Sequence, residues 1–167
     1  MNFTSRSQAG QDEFIFRLIK PHTFLDVGCS DPVQINNTIA LEEMGWVGFS
    51  VDVDPRWAEA YREKRKCPFI CADATTIDWT KALGGQKLFD YLSLDVDEAQ
   101  VAALKNLLAH GIRFRAATVE HDGYRFGHGP RDEIRALLTA AGYTMLNEDV
   151  YYGGVAYEDW WADQKAL

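Results

Sequence analysis

The sequence lacks the features that mark several large classes of protein. Its 167 residues include only three cysteines, Cys29, Cys67 and Cys71, without the number or spacing of a disulfide framework or a zinc site. It also lacks a long apolar run and a basic, then apolar, N-terminal stretch, so we expect neither a membrane span nor a signal peptide. Free thiols and a cytoplasmic location are the expectations that follow, with no membrane as a partner.

Positive charge is scarce as well. The chain has 17 lysines and arginines against 25 aspartates and glutamates, which gives a formal net charge of −8. A protein that binds a nucleic-acid backbone needs a basic face to neutralise phosphates, so we do not expect nucleic acid as a partner. A small ligand held by backbone N–H groups remains compatible with this charge.

The length and composition predict one globular domain that spans residues 1–167, in which residues 1–20 form an N-terminal helical extension. A chain of this size buries roughly 70% of its unfolded surface, so it needs no disulfide or metal to hold its core.

Short apolar runs alternate with segments of helical periodicity along the chain. Strands are predicted at 23–27, 47–53, 68–71, 88–94, 112–119, 143–150 and 153–157. Helices are predicted at 11–20, 35–44, 54–66, 75–83 and 98–109, and another begins at Pro130. This alternation is typical of an α/β fold with a doubly wound, mostly parallel sheet. Because no helix separates the last two strands, we expect them to form an antiparallel pair at one edge.

Each of the first five predicted strands ends in a carboxylate. In open α/β sheets the ligand lies beyond the carboxyl ends of the strands, near the point where the strand order reverses. The acids at these ends are Asp26, Asp31, Asp52, Asp54, Asp73, Asp95, Asp97, Glu120 and Asp122. Some of them can serve as helix caps, but together they predict a polar site at one rim of the sheet.

Two of these positions carry the strongest signals for a ligand. Gly28 follows the first strand, where a tight turn can bring backbone N–H groups close to a bound molecule. Asp52 ends the second strand, the place where a carboxylate accepts both hydroxyls of a ribose in dinucleotide-binding folds.

The motifs for phosphate binding are absent. The chain has neither the P-loop pattern nor G-x-G-x-x-G, since Cys29 and Ser30 follow the single glycine of the first turn. A pyrophosphate requires a closer backbone approach than this turn predicts. An adenosine ligand without a pyrophosphate fits better, and S-adenosylmethionine is such a ligand.

With these residues identified, the chain resembles the class I S-adenosylmethionine-dependent methyltransferases, and within them the FkbM-type family. The resemblance covers residues 5–122 and rests on four stretches, which are Ser7–Asp12, Phe24–Gly28 with Asp31 and Asn37-Thr38, Gly45–Pro55, and Tyr91–Asp97. It implies a Rossmann-like methyltransferase fold and an enzyme that transfers a methyl group, with a hydroxyl of a small molecule or sugar as the expected acceptor.

The chain departs from the family pattern at three positions. Pro32 stands where a second glycine is usual, Asp52 replaces the usual glutamate of the second strand, and Glu98 replaces a glycine after the fourth strand. The first two departures alter cofactor contacts, and the third makes the acceptor side harder to assign.

The resemblance also implies roles for individual residues. Gly28 and its turn would contact the methionine part, Asp52 would hold the ribose, and Asp73 would lie near the adenine. Gln11 and Asn37 would edge the pocket. The residues expected to bind the cofactor are Asp26, Gly28, Ser30, Asn37, Asp52 and Asp73.

Some O-methyltransferases of this fold use a divalent cation held by residues at the ends of the fourth and fifth strands. Asp95, Glu120 and His121 occupy these places, and such a ligand set suits Mg²⁺ or Mn²⁺. The ion would bind the acceptor hydroxyl and lower its pKa. Alternatively, these acids form only a polar rim and His121 is a general base. In both versions Asp95 and His121 are the expected catalytic residues.

Two further functions remain open. One is a non-catalytic partner subunit or sensor that keeps the nucleoside pocket, and the other is an NAD-dependent oxidoreductase, which the single-glycine turn disfavours. The chain is short for the fold, so a second copy could complete an open site as a homodimer. Trp160 and Trp161 either stack on a flat acceptor or pack over the sheet edge.

Overall fold

A computed structural model describes residues 3–20 and 22–165 of the chain. Its seven strands are β1 Thr23–Val27, β2 Val47–Asp52, β3 Phe69–Cys71, β4 Leu88–Leu94, β5 Arg113–Glu120, β6 Tyr143–Tyr152 and β7 Val155–Asp163. Its helices are α1 Gln11–Leu18, α2 Ile39–Glu43, α3 Trp57–Lys64, α4 Trp79–Ala82, α5 Gln100–Ala109, α6 Gly123–Phe126 and α7 His128–Ala140, with a 3₁₀ turn at Asp97–Ala99 before α5. None of the described helices is long and apolar enough to cross a membrane.

The strands form one sheet in the order β3-β2-β1-β4-β5-β7-β6. Strands β1 to β5 pair in parallel, whereas β7 runs antiparallel to both of its neighbours, β5 and β6. The order reverses between β1 and β4, so the carboxyl ends of these two strands are the expected place for a ligand. The predicted α/β fold, with its antiparallel C-terminal pair, is confirmed.

The core lies in two layers, one on each face of the sheet. Apolar residues of β1, β4 and β5 pack on one face against α4, α5 and α7, and the fully buried side chains there include Trp79 and Trp161. The other face packs against α1, α2 and α3 around Ile15, Phe24 and Tyr91. Because both faces are covered, the central strands are apolar along nearly their whole length.

Several element boundaries differ from those predicted. The helix predicted at 35–44 begins only at Ile39, because the loop before it is held by side-chain hydrogen bonds. Helix α6 was not predicted. The largest difference is β7, which continues to Asp163, so that Glu158, Asp159, Trp160 and Trp161 lie within the strand and not after it.

All three cysteines are free, as predicted. Cys29 and Cys67 are buried and Cys71 is exposed. Burial raises the pKa of the Cys67 thiol to about 12, so this residue behaves as a small apolar side chain within the core.

A buried arginine organises the loop between β1 and α2. The side chain of Arg65, at the end of α3, is fully buried and forms an ion pair with Glu42 of α2 at 3.2 Å. It also donates hydrogen bonds to the Pro32 carbonyl, to Asn36 Oδ1 and to Thr38 Oγ1, at 3.0–3.2 Å. One guanidinium therefore ties the loop to two helices.

Loss of this cation should destabilise the fold. Arg65→Met would leave the carboxylate of Glu42 buried without its partner, and breaking a buried pair in this way costs about 3–5 kcal/mol. Urea denaturation should show this loss, whereas Arg62→Met, which removes an exposed pair with Glu59, should change stability by less than about 1 kcal/mol. Equal stabilities of the two variants would contradict the role given to Arg65.

A second prediction concerns Asp26, which is 2% exposed within β1. Burial raises the pKa of Asp26 from 3.8 to about 6, although a hydrogen bond from Thr38 and the charge of Arg65 oppose this shift. The folded state thus holds this proton more tightly than the unfolded state. Stability should fall by roughly 3 kcal/mol as the pH rises from about 4 through 6, at about 1.4 kcal/mol per pKa unit.

Asp26→Asn should remove this part of the pH dependence. Urea denaturation of both proteins between pH 4 and 8 measures it, with the exposed Asp132→Asn as the matched control. A difference between wild type and Asp26→Asn that does not change with pH would refute the assignment.

Candidate active site

An open cavity of about 670 Å³ lies at the carboxyl ends of β1, β2, β3 and β4. It is bounded by the turn after β1, the residues that follow β2 and β3, and the segment between β4 and α5. The lining residues are Gly28, Ser30, Val51, Asp52, Val53, Asp54, Arg56, Trp57, Ala72, Asp73, Ala74, Thr75, Asp95, Val96, Asp97 and Ala99. The cavity therefore lies at the rim where the sequence predicted a polar site.

Gly28 brings the first turn against the end of β4. Its φ is +81°, and a Cβ atom added there would lie 1.6 Å from the carbonyl oxygen of Asp95. Its N–H donates to the Val51 carbonyl at 2.8 Å, so the turn is also attached to β2. Only glycine satisfies both the conformation and the space at this position.

Asp52 is held in place by backbone donors. Its Oδ2 accepts from the Ser30 N–H and its Oδ1 from the Asp54 N–H, both at 2.9 Å. A carboxylate offers about four acceptor positions, so two remain for a ligand in the cavity. The carboxylate is thus oriented before any ligand binds.

Asp73 and nearby apolar groups form the part of the cavity next to β3. The Asp73 carboxylate is exposed and accepts from the N–H and the hydroxyl of Thr75, at 2.8 and 2.7 Å, and these bonds lower its pKa. Val53 is 68% exposed, and Trp57 lies beneath the guanidinium of Arg56 at 5.2 Å. A hydrogen-bond acceptor beside an apolar surface is suited to bind a flat heterocycle that carries an amino group.

Two predicted cofactor contacts lie outside this cavity. Asp26 Oδ2 accepts from the Thr38 hydroxyl at 2.7 Å, and Asn37 Nδ2 donates to the Ser93 hydroxyl at 3.0 Å. Neither side chain is among the residues that line the cavity. In the structure both support the loop between β1 and α2 from within the protein, and their contact with the cofactor stays a prediction.

Asp95 and Glu120 meet at the ends of β4 and β5. The Asp95 carboxylate is exposed to the cavity, yet desolvation by the surrounding protein, together with the charges of Asp97, Asp122 and Asp52, raises its pKa. Burial, the contact with Asp95 and the charge of Asp122 also raise the pKa of Glu120. Two carboxyl groups this close cannot both ionise readily, so one proton is shared between them.

His121 does not join this pair. Its Nδ1 accepts from the Gly123 N–H at 3.1 Å, and its Nε2 faces Asp149 and Asp159 at 3.5 and 3.7 Å. His121 is the residue directly after β5 and continues the alternation of that strand, so its side chain lies on the opposite face of the sheet from that of Glu120. The predicted set of Asp95, Glu120 and His121 is thus divided between two clusters.

The cluster around His121 has the composition of a metal site, but an arginine fills it. Ligand atoms of His121, Asp149 and Asp159 lie within 4.8 Å of one another. Arg135 of α7 donates to both oxygens of Asp159 at 2.8 and 2.9 Å and to Asp149 at 2.7 Å. Since the guanidinium already neutralises these acids, this cluster does not fit a divalent ion, and His121 does not join Asp95 and Glu120 as a third ligand.

Sequence reasoning missed Glu158. This residue lies directly opposite Glu120 in the antiparallel pairing of β5 and β7, and it is 3% exposed. Burial raises its pKa to about 7, despite a hydrogen bond from Trp160 Nε1 at 2.6 Å. The sequence carries no signal for Glu158, because the last strand is predicted from its apolar residues and therefore ends at residue 157, before this charged residue.

The two tryptophans and Gln11 have structural partners. Trp160 packs on Phe14 of α1, with ring centroids 4.3 Å apart, and Trp161 is wholly buried in the core. Gln11 Nε2 donates to the Tyr157 hydroxyl at 2.6 Å, which attaches α1 to β7. Packing over the sheet therefore accounts for both tryptophans.

No protein-family model matches the chain, and no curated protein matches it in sequence. Solved structures of low identity do match its fold. A 1,6-didemethyltoxoflavin-N1-methyltransferase from Burkholderia thailandensis, with S-adenosylhomocysteine bound, is 19% identical, with a TM-score of 0.60 over 93% of this chain and 76% of that one.

Two other structures cover nearly the whole of both chains. A SAM-bound amino pentose methyltransferase from Micromonospora echinaspora is 14% identical, with a TM-score of 0.67 over 96% of this chain and 92% of its own. A putative rRNA-methylase from Clostridium thermocellum is also 14% identical, with a TM-score of 0.67 over 95% and 97%. The chain therefore has the Rossmann-like fold of the class I S-adenosylmethionine-dependent methyltransferases.

Proposed function

We propose that this protein is an S-adenosylmethionine-dependent methyltransferase that acts on a small molecule. The observation that carries the proposal is the cavity at the reversal of strand order, where Gly28 forms a turn against β4 and Asp52 is oriented by two backbone N–H groups. The fold agrees with this function, and the FkbM-type assignment remains a prediction that rests on the sequence motifs alone.

The cofactor fits this cavity in one orientation. The free acceptor positions of Asp52 suit the two ribose hydroxyls, and Asp73 with Val53 suits the adenine on the side of β3. The methionine part then lies over the Gly28 turn and points toward Asp95. This order follows the sheet from β3 to β4 and leaves the reactive end of the cofactor beside β4 and β5.

When bound, S-adenosylmethionine supplies an electrophilic methyl group on a sulfonium. The protein must align an acceptor oxygen or nitrogen with the S–CH₃ bond, because in-line geometry lowers the barrier to displacement. A new bond from the acceptor to the methyl carbon would replace the S–C bond, whose electron pair would stay on sulfur. The acceptor proton passes to a carboxylate, for which Asp95 is placed at the cavity wall.

The predicted hydroxyl acceptor remains a prediction within this proposal, as does the general-base role of His121. The similar structures include an amino pentose methyltransferase and a sugar N-methyltransferase. These enzymes support a small-molecule acceptor with an oxygen or nitrogen nucleophile here.

Cofactor binding provides the first test. By calorimetry, S-adenosylhomocysteine should bind and NAD should not, because the single-glycine turn offers no pyrophosphate site. Asp52→Ala should weaken S-adenosylhomocysteine binding by about 1.5–3 kcal/mol, or roughly tenfold or more, through loss of charge-assisted hydrogen bonds. Asp132→Ala, an exposed acid on α7, is the matched control and should bind like wild type. Tight NAD binding without a response to S-adenosylhomocysteine would contradict the proposal.

Metal removal provides the next test. Because Arg135 occupies the acids around His121, and Asp95 shares a proton with Glu120, EDTA should change neither S-adenosylhomocysteine affinity nor Tm. Calorimetry and thermal denaturation before and after dialysis against EDTA measure this. A loss of affinity or stability that Mg²⁺ or Mn²⁺ restores would show that the residues bind an ion after all.

A further inference from the structure

Three buried acids lie behind Asp95, which lines the cavity, on the side of β5 and β7. Glu120 and Glu158 are direct cross-strand neighbours, and their side chains therefore share one face of the sheet. Asp122 follows the end of β5 and lies against Glu120. We call Glu120, Asp122 and Glu158 the acidic recess; they are 9%, 3% and 3% exposed.

No cation forms an ion pair with these acids within residues 3–20 and 22–165. The ion pairs of this part of the chain involve none of the three, nor Asp95. Arg125 is near enough for its charge to attract Asp122, but its ion pair is with Asp97 at 2.7 Å, and Arg135 bonds to Asp159. Buried acids are normally paired with a cation, and without one Glu120 and Glu158 avoid like-charge repulsion only by holding protons, as their raised pKa values indicate. A cation bound from outside the protein would stabilise their charged forms.

One acceptor atom of the recess is left without a donor. Asp122 Oδ1 is buried and receives no hydrogen bond from the described residues. Unsatisfied buried acceptors are rare because each costs the desolvation energy of the group. An atom of this kind indicates that a donor from outside the protein completes the site.

Exposed aromatic rings flank the recess. Tyr124 of α6 is 59% exposed and lies beside Asp122 and Glu120. Tyr152, at the end of β6, is 47% exposed, and its ring lies edge to face with that of Tyr157, with the ring centroids 6.4 Å apart. Carboxylates combined with accessible aromatic faces are the groups that bind alkylammonium ions, through charge and cation–π attraction.

We propose that the acceptor is a small molecule with a protonated amine, which the acidic recess binds between Tyr124 and the cavity. This inference rests on the proposed function, because it assigns the second ligand of the same site. The ammonium supplies the cation that the recess lacks and a donor for Asp122 Oδ1. The acidic recess recognises the molecule by its ammonium group. The atom that becomes methylated is the oxygen or nitrogen of the same molecule that lies next to the methyl group, beside Asp95.

The cofactor does not account for the recess. Its own ammonium, at the methionine end, lies near Gly28 and Asp95, which line the cavity. Glu120, Asp122 and Glu158 are not among the lining residues. Substitutions in the recess should therefore affect acceptor binding and leave cofactor binding intact.

Matched pairs of compounds test the proposal on the wild-type protein. Binding is measured by ligand-observed NMR with saturating S-adenosylhomocysteine, for glucosamine against glucose and for tyramine against 4-ethylphenol. We expect the amine of at least one pair to bind tenfold or more tightly than its neutral counterpart, and added salt to weaken only the amine. A lysine-containing peptide is a third probe, and its binding in preference to both free amines would overturn the small-molecule assignment.

Two variants locate the site. Asp122→Asn and Glu158→Gln should each weaken amine binding at least fivefold, with unchanged affinity for S-adenosylhomocysteine, while Asp132→Asn should match wild type. Glu158→Gln removes a buried charge and should fold even if Asp122→Asn does not. Equal binding of amines and neutral compounds, binding of no amine, or unchanged amine affinity in the folded variants would overturn the inference. Failure of S-adenosylhomocysteine to bind at all would instead contradict the proposed function.

Discussion

The close approach of Gly28 to β4 is the constraint on which the site depends. The Gly28 backbone lies so near the Asp95 carbonyl that no side chain fits between them, and the Asp95 N–H donates to the Val27 carbonyl at 2.9 Å. The carboxyl ends of β2, β1 and β4 are therefore held side by side around the Gly28 turn. This arrangement opens the cavity beyond the strands and places Asp52 on one side of the turn and Asp95 on the other.

A second layer of interactions keeps that turn in place from behind. Arg65 joins Glu42, Asn36 and Thr38, and Thr38 in turn donates to Asp26 within β1. Asn36 also donates to the carbonyls of Cys29 and Asp31, at 3.1 and 3.0 Å. Hence the loop after Gly28 is fixed by buried polar groups, and its Ser30 N–H can orient Asp52 without a ligand present. Such preorganisation lowers the entropic cost of binding.

The sequence predicted most of the fold because the central strands are apolar and short. The bounds of β1 and β4 are those predicted, and Gly28, Ser30, Asp52, Asp73 and Asp95 all line the cavity. The predictions failed where tertiary contacts override local pattern. Buried acids extend β7 beyond its apolar residues, polar side chains delay the start of α2, and strand alternation turns His121 toward Asp159. The partners that decide these cases are distant in sequence, so periodicity gives no sign of them.

A crystal structure with S-adenosylhomocysteine bound would test the central claim most directly. The account predicts the nucleoside in the cavity between β3 and β4, with both ribose hydroxyls on Asp52 and the thioether sulfur on the side of Asp95. The cofactor should leave the acidic recess unoccupied. A nucleoside bound elsewhere, or a sulfur directed away from Asp95 and Glu120, would contradict the account.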